Sequence, residues 1–305
     1  MQCRSFLVSL LVVGTALTIG AAPAGKRASL PEPLDIPTQP SAFASKGVTS
    51  GIARNGSRLI AVGPRGLILV SKDAAVTWKQ VTSPVSSDLV SVKFTGPDEA
   101  WAVGHDAVAL RTTDGGASWQ KVLDGRSVLA LLRSTYTARA KTGDAAAEAL
   151  LPEIERSMAQ SATPDVLPSP FLDVWFPDAN EGYLVGAFGL ILHTNDGGKQ
   201  WEPWIERLDN PRGFHLYAVA GDGPQRYIAG EQGLLLRFDV ATKRFVKVET
   251  PYAGSYFGLD VRAERLVAFG LRGNAYTRPT LSAADRKSTR LNSSHIQKSR
   301  MPSSA

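Results

Sequence analysis

A gapless repeat is the feature that most constrains the fold of this chain. Four glycines, here called anchor glycines, each precede an aromatic residue by fifteen positions, and a fifth copy begins at Gly270 but has Asp285 where the aromatic residue is due. The anchors are Gly63, Gly104, Gly186 and Gly230, followed by Trp78, Trp119, Trp201 and Phe245. With Gly270 included, the anchors recur after 41, 82, 44 and 40 residues, and a unit of about 40 residues holds four short strands. The segments "LILVS" and "LILHT" are apolar on both strand faces, as in stacked blades. The repeat predicts an all-β fold, a β-propeller of four-stranded blades, with blades 1–2 at 48–126 and blades 3–5 at 169–284.

The doubled gap between Gly104 and Gly186 predicts a helical insertion at 127–168. This stretch is rich in Ala, Leu and Glu, and two stripes have helical spacing: Leu129, Leu132, Tyr136 and Ala140, then Ala147, Leu151, Ile154 and Met158. We expect an inserted α-helical hairpin in which Pro152 starts or kinks the second helix. Two interpretations stay open, a docking arm for a partner and a hairpin folded against a blade edge.

The N-terminus predicts export. Arg4 precedes an apolar stretch from Phe6 to Ile19, and Ala22-Pro23-Ala24 offers a cleavage site, so 1–24 is interpreted as a signal peptide and 25–47 as a linker or first strand. The alternative is an uncleaved membrane anchor, for which the apolar run is short. The sole cysteine, Cys3, lies in this leader, so the mature chain would have neither thiol catalysis nor thiolate metal sites. We expect a mature chain that does not span the membrane, in the periplasm or on the outer face of the cell envelope.

The charge distribution argues against nucleic-acid binding. The net charge is +6, but the leader and the last 21 residues carry five of those six charges. Residues 285–305 have no periodicity and predict a disordered basic tail. The tail also resembles read-through into library adapter sequence, so we interpret it as foreign.

The stretches "SKDAAVTW", "TTDGGASW" and "TNDGGKQW" place an aspartate five residues before each tryptophan of the first three repeats. An aspartate can accept hydrogen bonds from turn amides, and the glycines after it permit positive φ. We expect Asp-box hairpins with a structural role and with the three tryptophans buried in equivalent places. The residues concerned are Asp73, Trp78, Asp114, Gly116, Trp119, Asp196, Gly198 and Trp201.

These boxes, together with "VGPRG", "VGAFG" and "AGEQG" before each apolar strand, resemble the BNR (Asp-box) repeat superfamily, and within it the photosystem II stability/assembly factor-like branch. The resemblance covers residues 48 to about 280 apart from the insertion. It implies an exported propeller, usually seven-bladed, that assists the assembly of membrane-protein complexes. The chain would then be a truncated propeller with an open arc, exposing Leu67, Leu69, Ala275 and Tyr276.

The superfamily also includes sialidases and other glycoside hydrolases, which leaves an enzyme as the alternative. Such an enzyme would need three arginines on a carboxylate, a tyrosine nucleophile and acidic partners. The arginines are scattered over unlike repeat positions, and Tyr183 and Tyr227 share a strand position with Trp101, which marks them as core. His105, His193 and His215 occupy positions that do not correspond, and no metal or cofactor is expected. The prediction is a non-catalytic scaffold.

A scaffold needs a recognition surface, and the turn after each anchor offers one. These turns stand at equivalent places on successive blades and vary in chemistry. The candidate residues for contact with a protein partner are Arg65, His105, Asp106, Phe188, Gln232 and Arg272. Alternation in "FLDVWF" adds Trp175, which we expect to be exposed opposite Leu172, Val174 and Phe176.

Overall fold

Five four-stranded antiparallel sheets make up the chain. The computed structural model describes residues 31–159, 161, 163–262, 265–279 and 297–300. Within these ranges each sheet is a meander whose strands pair in chain order. The strands are Gly51–Asn55 (β1), Arg58–Gly63 (β2), Leu67–Ser71 (β3) and Lys79–Val81 (β4) in blade 1; Leu89–Phe94 (β5), Ala100–Gly104 (β6), Ala109–Thr112 (β7) and Gln120–Leu123 (β8) in blade 2; Phe171–Trp175 (β9), Gly182–Gly186 (β10), Ile191–Thr194 (β11) and Glu202–Pro203 (β12) in blade 3; Leu216–Asp222 (β13), Gln225–Gly230 (β14), Leu235–Asp239 (β15) and Arg244–Lys247 (β16) in blade 4; and Tyr256–Arg262 (β17), Arg265–Gly270 (β18), Asn274–Pro279 (β19) and Gln297–Arg300 (β20) in blade 5.

The anchor glycine ends the second strand of every blade because the backbone comes too close there for a side chain. A Cβ on Gly104 would collide with the carbonyl oxygen of Asp88, and one on Gly230 would collide with that of His215. In each case the carbonyl belongs to the segment that leads into the first strand of the same blade. The glycine recurs in the sequence because the same close backbone contact recurs in the sheets.

The core lies between the blades. The first strands of successive blades pack side by side, β1 on β5, β5 on β9, β9 on β13 and β13 on β17. Since side chains alternate across a strand, each inner strand contributes to two neighbouring cores. Trp101 and Val103 face blade 3, whereas Ala100 and Ala102 face blade 1. The propeller prediction is confirmed.

The insertion is a helical hairpin packed on the rim of blades 2 and 3. Its helices are Gly125–Ala140 (α1) and Ala145–Ala159 (α2), and Asp124 caps α1 with hydrogen bonds from the amides of Arg126 and Ser127. Pro152 lies inside α2 instead of starting it. The Tyr136 hydroxyl, on α1, donates to the Glu206 carboxylate at 2.8 Å, and this carboxylate also lies 2.6 Å from the Arg139 guanidinium. Of the two interpretations, the hairpin folded against the blades is the one observed.

The blades form an open arc. Among the described residues, β17 and β1 do not pack on each other as the other first strands do. The side chains expected to be exposed at the two ends are only partly so. Leu69 and Tyr276 are buried, and Leu67 and Ala275 are half-buried. The exposed large apolar residues in the strands and turns of these two blades are Ile52, Val76, Phe257, Phe269 and Leu271. Leu67 and Leu69 are shielded because residues 36–48 lie against β3 and β4.

The expectation of a disordered tail is wrong for residues 297–300. They form β20, which pairs antiparallel with β19 from Asn274↔Arg300 to Thr277↔Gln297. The physical reason is that β19 would otherwise present an unpaired row of backbone donors and acceptors at the sheet edge. Residues 285–296 and 301–305, like the leader, lie outside the described residues.

Candidate functional site

The three Asp boxes are one hydrogen-bonded turn repeated in three blades. In blade 2 the Asp114 carboxylate accepts from the Thr112 hydroxyl, from the Ser118 amide and from the Ser118 hydroxyl, at 2.6–2.9 Å. Asp73 makes the same three bonds with Ser71 and Thr77. Asp196 bonds to the Thr194 hydroxyl and to the amides of Lys199 and Gln200. The hydrogen bonds of each carboxylate therefore stabilise its own hairpin.

These bonds favour the ionised carboxylates. The hydroxyl of Thr77 is the main cause that lowers the pKa of Asp73 to about 2, and the hydroxyl of Ser118 does the same for Asp114. The pKa of Asp196 is also lowered, mainly by the Gln200 amide. A group held ionised by its own turn is a poor general acid.

The box tryptophans are not equally buried, which corrects the expectation of equivalent places. Trp119 and Trp201 are 7% and 8% exposed, whereas Trp78 is only half-buried. Trp119 packs in the core shared with blade 1, and Trp201 contacts Trp101 of blade 2 with ring centroids 5.7 Å apart. Among the described residues no blade packs on the Asp-box side of blade 1, so Trp78 lacks the neighbour that covers Trp119 and Trp201.

The turns after the anchors have one unusual backbone feature in common. In all five blades the second residue after the anchor is left-handed although it is not glycine, with φ between 49° and 62°. These residues are Arg65, Asp106, Phe188, Gln232 and Arg272. A left-handed L-residue costs roughly 1–2 kcal/mol, and such strain is concentrated at functional sites. Five occurrences at one place in the repeat define a surface, here called the turn face.

Hydrogen bonds from both the same blade and the next blade hold the turn face. The residue after the anchor donates its amide to the carbonyl that precedes the first strand, as in Ala187 to Pro170 at 3.0 Å and Glu231 to His215 at 3.1 Å. The left-handed residue donates to a side chain of the following blade in two turns: the Arg65 amide to the Asp88 carboxylate at 2.7 Å and the Phe188 amide to His215 Nδ1 at 2.9 Å. The backbone is thus fixed independently of the left-handed side chain, which points away into solvent or lies half-buried.

An exposed row of aromatic rings crosses the turn face over three blades. Phe188 meets His215 edge-on at 4.7 Å, His215 meets Tyr217 at 6.0 Å, and Tyr217 meets Phe257 at 5.1 Å. Phe188 is 64% exposed and Phe257 is 49% exposed. Tyr217 and Phe257 are the extra residues of equivalent bulges, where the pairing of β13 and β17 slips by one residue. A bulge re-aims a side chain, which here turns two rings out of the blade core.

The residues predicted to form the partner surface lie on the turn face, with the exception of Trp175. Arg65, His105, Phe188, Gln232 and Arg272 are exposed and Asp106 is half-buried, all on the turn face. The expected exposure of Trp175 is wrong. Trp175 stacks on Tyr183 at 6.2 Å and closely approaches Gly221 of blade 4. In a propeller both faces of an inner strand are covered by other blades. The alternation of side chains along the strand therefore shows which residues face the preceding blade and which face the following blade, not which are exposed.

Sequence reasoning missed Tyr217, Phe257 and the surface role of His215. A weak signal was present, since "LYAV" and "YFGL" place an aromatic residue one position after the buried residue that pairs with the anchor glycine. Missed too was Asp173, a buried carboxylate on β9 that lies 2.6 Å from the Lys93 ammonium of β5. No cluster of His, Cys, Asp and Glu within the described ranges is suited to hold a metal ion. No helix in those ranges combines the length and apolar character needed to cross a membrane.

Comparisons with known proteins identify relatives of this repeat. The photosystem II assembly lipoprotein Ycf48 of Synechococcus sp. (strain CC9902) is 38% identical over 65 residues, which is 21% of this chain and 20% of that protein. The photosystem II assembly protein Ycf48 of Synechococcus sp. (strain JA-2-3B'a(2-13)) is 30% identical over 137 residues, 43% of this chain and 41% of that protein. The chain thus matches less than half the length of each of these relatives. The solved structure of YCF48 from Cyanidioschyzon merolae has the same fold, with a TM-score of 0.52 and 19% identity over 83% of this chain and 71% of that one.

The profile of one protein family matches two stretches, residues 53–129 and 160–251. The stretches take in strands of blades 1–4, and the gap between them coincides with most of the helical hairpin. Together they amount to more than half of the chain. The chain belongs to the family described as photosynthesis system II assembly factor YCF48.

Proposed function

We propose that this chain is an exported, non-catalytic propeller that binds a protein partner through its turn face and assists the assembly or stability of a membrane-protein complex. Membership of the YCF48 family supports the assembly role, and relatives named as lipoproteins support export and membrane association. The observation that carries the proposal is Phe188. Its backbone is left-handed and the residue is 64% exposed, and both features are unfavourable for folding.

The row of aromatic rings would supply the apolar contact area of the partner surface. Large, rigid aromatic rings are the side chains that most often dominate protein interfaces, because they bury much area for little lost conformational freedom. The same turn face carries Arg65 on blade 1 and Arg272 on blade 5, and Asp106 and Glu231 add negative charge. A mixed rim around apolar rings suits a protein segment better than a polyanion.

The described carboxyl groups do not favour the glycoside hydrolase alternative. A glycosidase needs a carboxyl group whose pKa is raised so that it can donate a proton. The perturbed carboxyl groups instead have lowered pKa values. Burial opposes ionisation of Glu181, but hydrogen bonds from His193 and Tyr183 and the charge of Arg226 outweigh it and lower its pKa. Tyr183 and Tyr227, the tyrosines considered as nucleophiles, are buried between blades.

The test is site-specific photo-crosslinking in membranes of the producing organism. A benzophenone amino acid placed at Phe188 should form an adduct with a subunit of a membrane complex. The same group at Val240 should not, since Val240 is a half-exposed apolar residue at the opposite end of blade 4. Phe257→Ser in the Phe188-labelled chain should lower the adduct yield several-fold. Equal adducts from both positions, or none from either, would contradict the proposal.

A further inference from the structure

The turn that presents Phe188 depends on one histidine of the next blade. His215 comes directly before β13, and its ring nitrogen Nδ1 accepts a hydrogen bond from the Phe188 amide at 2.9 Å. The Phe188 backbone is left-handed, and the residue is 64% exposed. A strained turn persists only where its surroundings hold it in place. The His215 ring therefore supports the most exposed residue of the aromatic row.

The backbone of His215 is fixed independently of its ring. Its amide donates to the Glu231 carboxylate at 3.0 Å, and its carbonyl accepts from the Glu231 amide at 3.1 Å. Both bonds lie within blade 4, and neither involves the imidazole. A change in the protonation of the ring should therefore act on the contact with Phe188 before it acts on the fold of blade 4.

The hydrogen bond to the Phe188 amide selects one form of the His215 ring. A neutral imidazole has one nitrogen that donates and one that accepts, whereas both nitrogens donate once the ring is protonated. Because the amide is itself a donor, Nδ1 must be free of a proton. In a protonated ring two N–H groups would face each other across 2.9 Å. The new Nδ1–H group has another acceptor within reach, since the Glu231 carboxylate lies 3.8 Å from Nδ1. Protonation would thus exchange the contact with Phe188 for one with Glu231.

The groups around the His215 ring come from both blades. Blade 3 supplies the uncharged ring of Phe188, edge-on at 4.7 Å. Blade 4 supplies Glu231, the ring of Tyr217 at 6.0 Å, and Arg212, whose guanidinium lies 4.7 Å over the ring of the residue before His215. Burial and then the charge of Glu231 raise the pKa of Tyr217, so its hydroxyl stays protonated near neutral pH. Of these residue types only histidine ordinarily changes charge between about pH 5 and pH 8.

Blade 2 makes the same bond with a different acceptor. Asp88 also comes directly before the first strand of its blade, and its carboxylate accepts from the left-handed residue of the preceding blade, Arg65, at 2.7 Å. An ionised carboxylate has acceptors only, and carboxyl groups ordinarily ionise well below pH 5. The two turns therefore share one geometry, but the acceptor in blade 4 is one that a proton can remove.

We propose that His215 is a positioning residue of the turn face, whose neutral ring holds Phe188 in the conformation that binds the partner and whose protonation releases it. The inference rests on the proposed function in so far as Phe188 contacts the partner. Binding should consequently weaken as pH falls through the range in which the His215 ring gains its proton. The cause lies in a single hydrogen bond between blades 3 and 4.

The test is amide hydrogen exchange of the purified full chain at about pH 7.5 and about pH 5.5, on either side of the usual histidine range. Each rate is expressed relative to that of an unfolded chain at the same pH. Protection of the Phe188 amide should fall about tenfold at the lower pH, as expected for the loss of one hydrogen bond. The Arg65 amide, bonded to Asp88, is the internal control and should keep its protection.

Two variants assign the effect to the ring. His215→Asn places an amide oxygen, which accepts but does not titrate, near the position of Nδ1. Protection of the Phe188 amide should then be the same at both pH values, and the Arg65 amide reports that the variant is folded. His105→Asn removes a histidine from the turn face of blade 2 and should leave the fall at Phe188 unchanged.

Crosslinking in membranes measures whether the change reaches the partner. Adducts from a benzophenone amino acid at position 188 should be several-fold fewer at the lower pH in the parent chain and equally abundant at both pH values in His215→Asn. An absence of adducts at both pH values would contradict the proposed function, while the exchange rates would still decide the role of His215. A Phe188 amide equally protected at both pH values, or the same fall in His215→Asn as in the parent chain, would overturn the inference.

Discussion

The carboxylate of Asp173 in blade 3 lies 2.6 Å from the ammonium group of Lys93 in blade 2, and the same oxygen accepts from the Val219 amide of blade 4. Its other oxygen accepts from the Ser91 hydroxyl at 2.8 Å. Asp173 is only 6% exposed. One buried carboxylate thus joins the first strands of three successive blades.

Asp173→Asn should lower the free energy of unfolding by about 1–3 kcal/mol, since it removes a charged acceptor from the buried Val219 amide, the Ser91 hydroxyl and an ammonium group. Urea unfolding measures this. Asp98→Asn is the matched control, because Asp98 also lies 2.6 Å from a cation of the neighbouring blade, Arg58, but its side chain is 61% exposed. That change should cost less than about 1 kcal/mol. Equal losses in both variants would show that the buried carboxylate has no special role.

The Asp boxes should make stability depend on pH in the acid range. The folded-state pKa of Asp114 is about 2, below its ordinary value of 3.8, so its ionised form stabilises the fold above about pH 4. That contribution is lost as pH falls from about 4 through about 2. The urea midpoint of Asp114→Asn should consequently change less than that of the parent protein over this range. Parallel pH profiles for the two proteins would refute this assignment.

Gly198→Ala should destabilise the chain by about 2–4 kcal/mol. The residue has φ of 81°, and a Cβ there would lie 2.5 Å from the Trp101 ring. Ala75→Gly is the reverse experiment at the corresponding position of the first box, where the alanine already has φ of 74°. It should raise the free energy of unfolding by up to about 1 kcal/mol, because strain is relieved. Thermal and urea unfolding of both variants would test the pair, and a stable Gly198→Ala protein would contradict it.

Tyr136→Phe should loosen the helical hairpin by about 1–2 kcal/mol. The lost hydroxyl donates to Glu206 and accepts from the Ile205 amide at 3.3 Å. Amide hydrogen exchange should show reduced protection across α1 with the blades unchanged. Tyr217→Phe, which removes a hydroxyl group on the turn face, should leave α1 protection as it was. Uniform deprotection of the whole chain in Tyr136→Phe would mean that the hairpin does not open separately.

The sequence predicted the elements that are encoded locally. The anchor glycines and Asp boxes are short, repeated and chemically distinctive, so the five repeats, the hairpin positions and the burial of Tyr183 and Tyr227 followed from spacing. The turn face also followed, because equivalent positions in a repeat occupy equivalent places in space.

Features that depend on neighbouring blades could not be predicted. Lys93 and Asp173 are 80 residues apart and lie on apolar strands, so nothing in their spacing suggests a pair. Trp175 was misplaced because a period of two shows which side chains share a face but not what covers that face. The left-handed backbone at Phe188 is imposed by tertiary hydrogen bonds: the Phe188 amide donates to His215 of the next blade, and the Ala187 amide donates to the carbonyl of Pro170.

The left-handed turns have a consequence for how such a protein could change its specificity. The backbone is left-handed at all five positions whatever the side chain, and at Arg65 and Phe188 the following blade holds it, so every non-glycine side chain there should bear much the same strain. Exchanging one for another should therefore alter what the surface recognises at little cost to folding. Arg, Asp, Phe, Gln and Arg already occupy the five sites. Substitutions at these five positions should therefore change which partner is bound while leaving the stability of the blades nearly unchanged. A lineage could acquire a new partner through a few such single-residue substitutions.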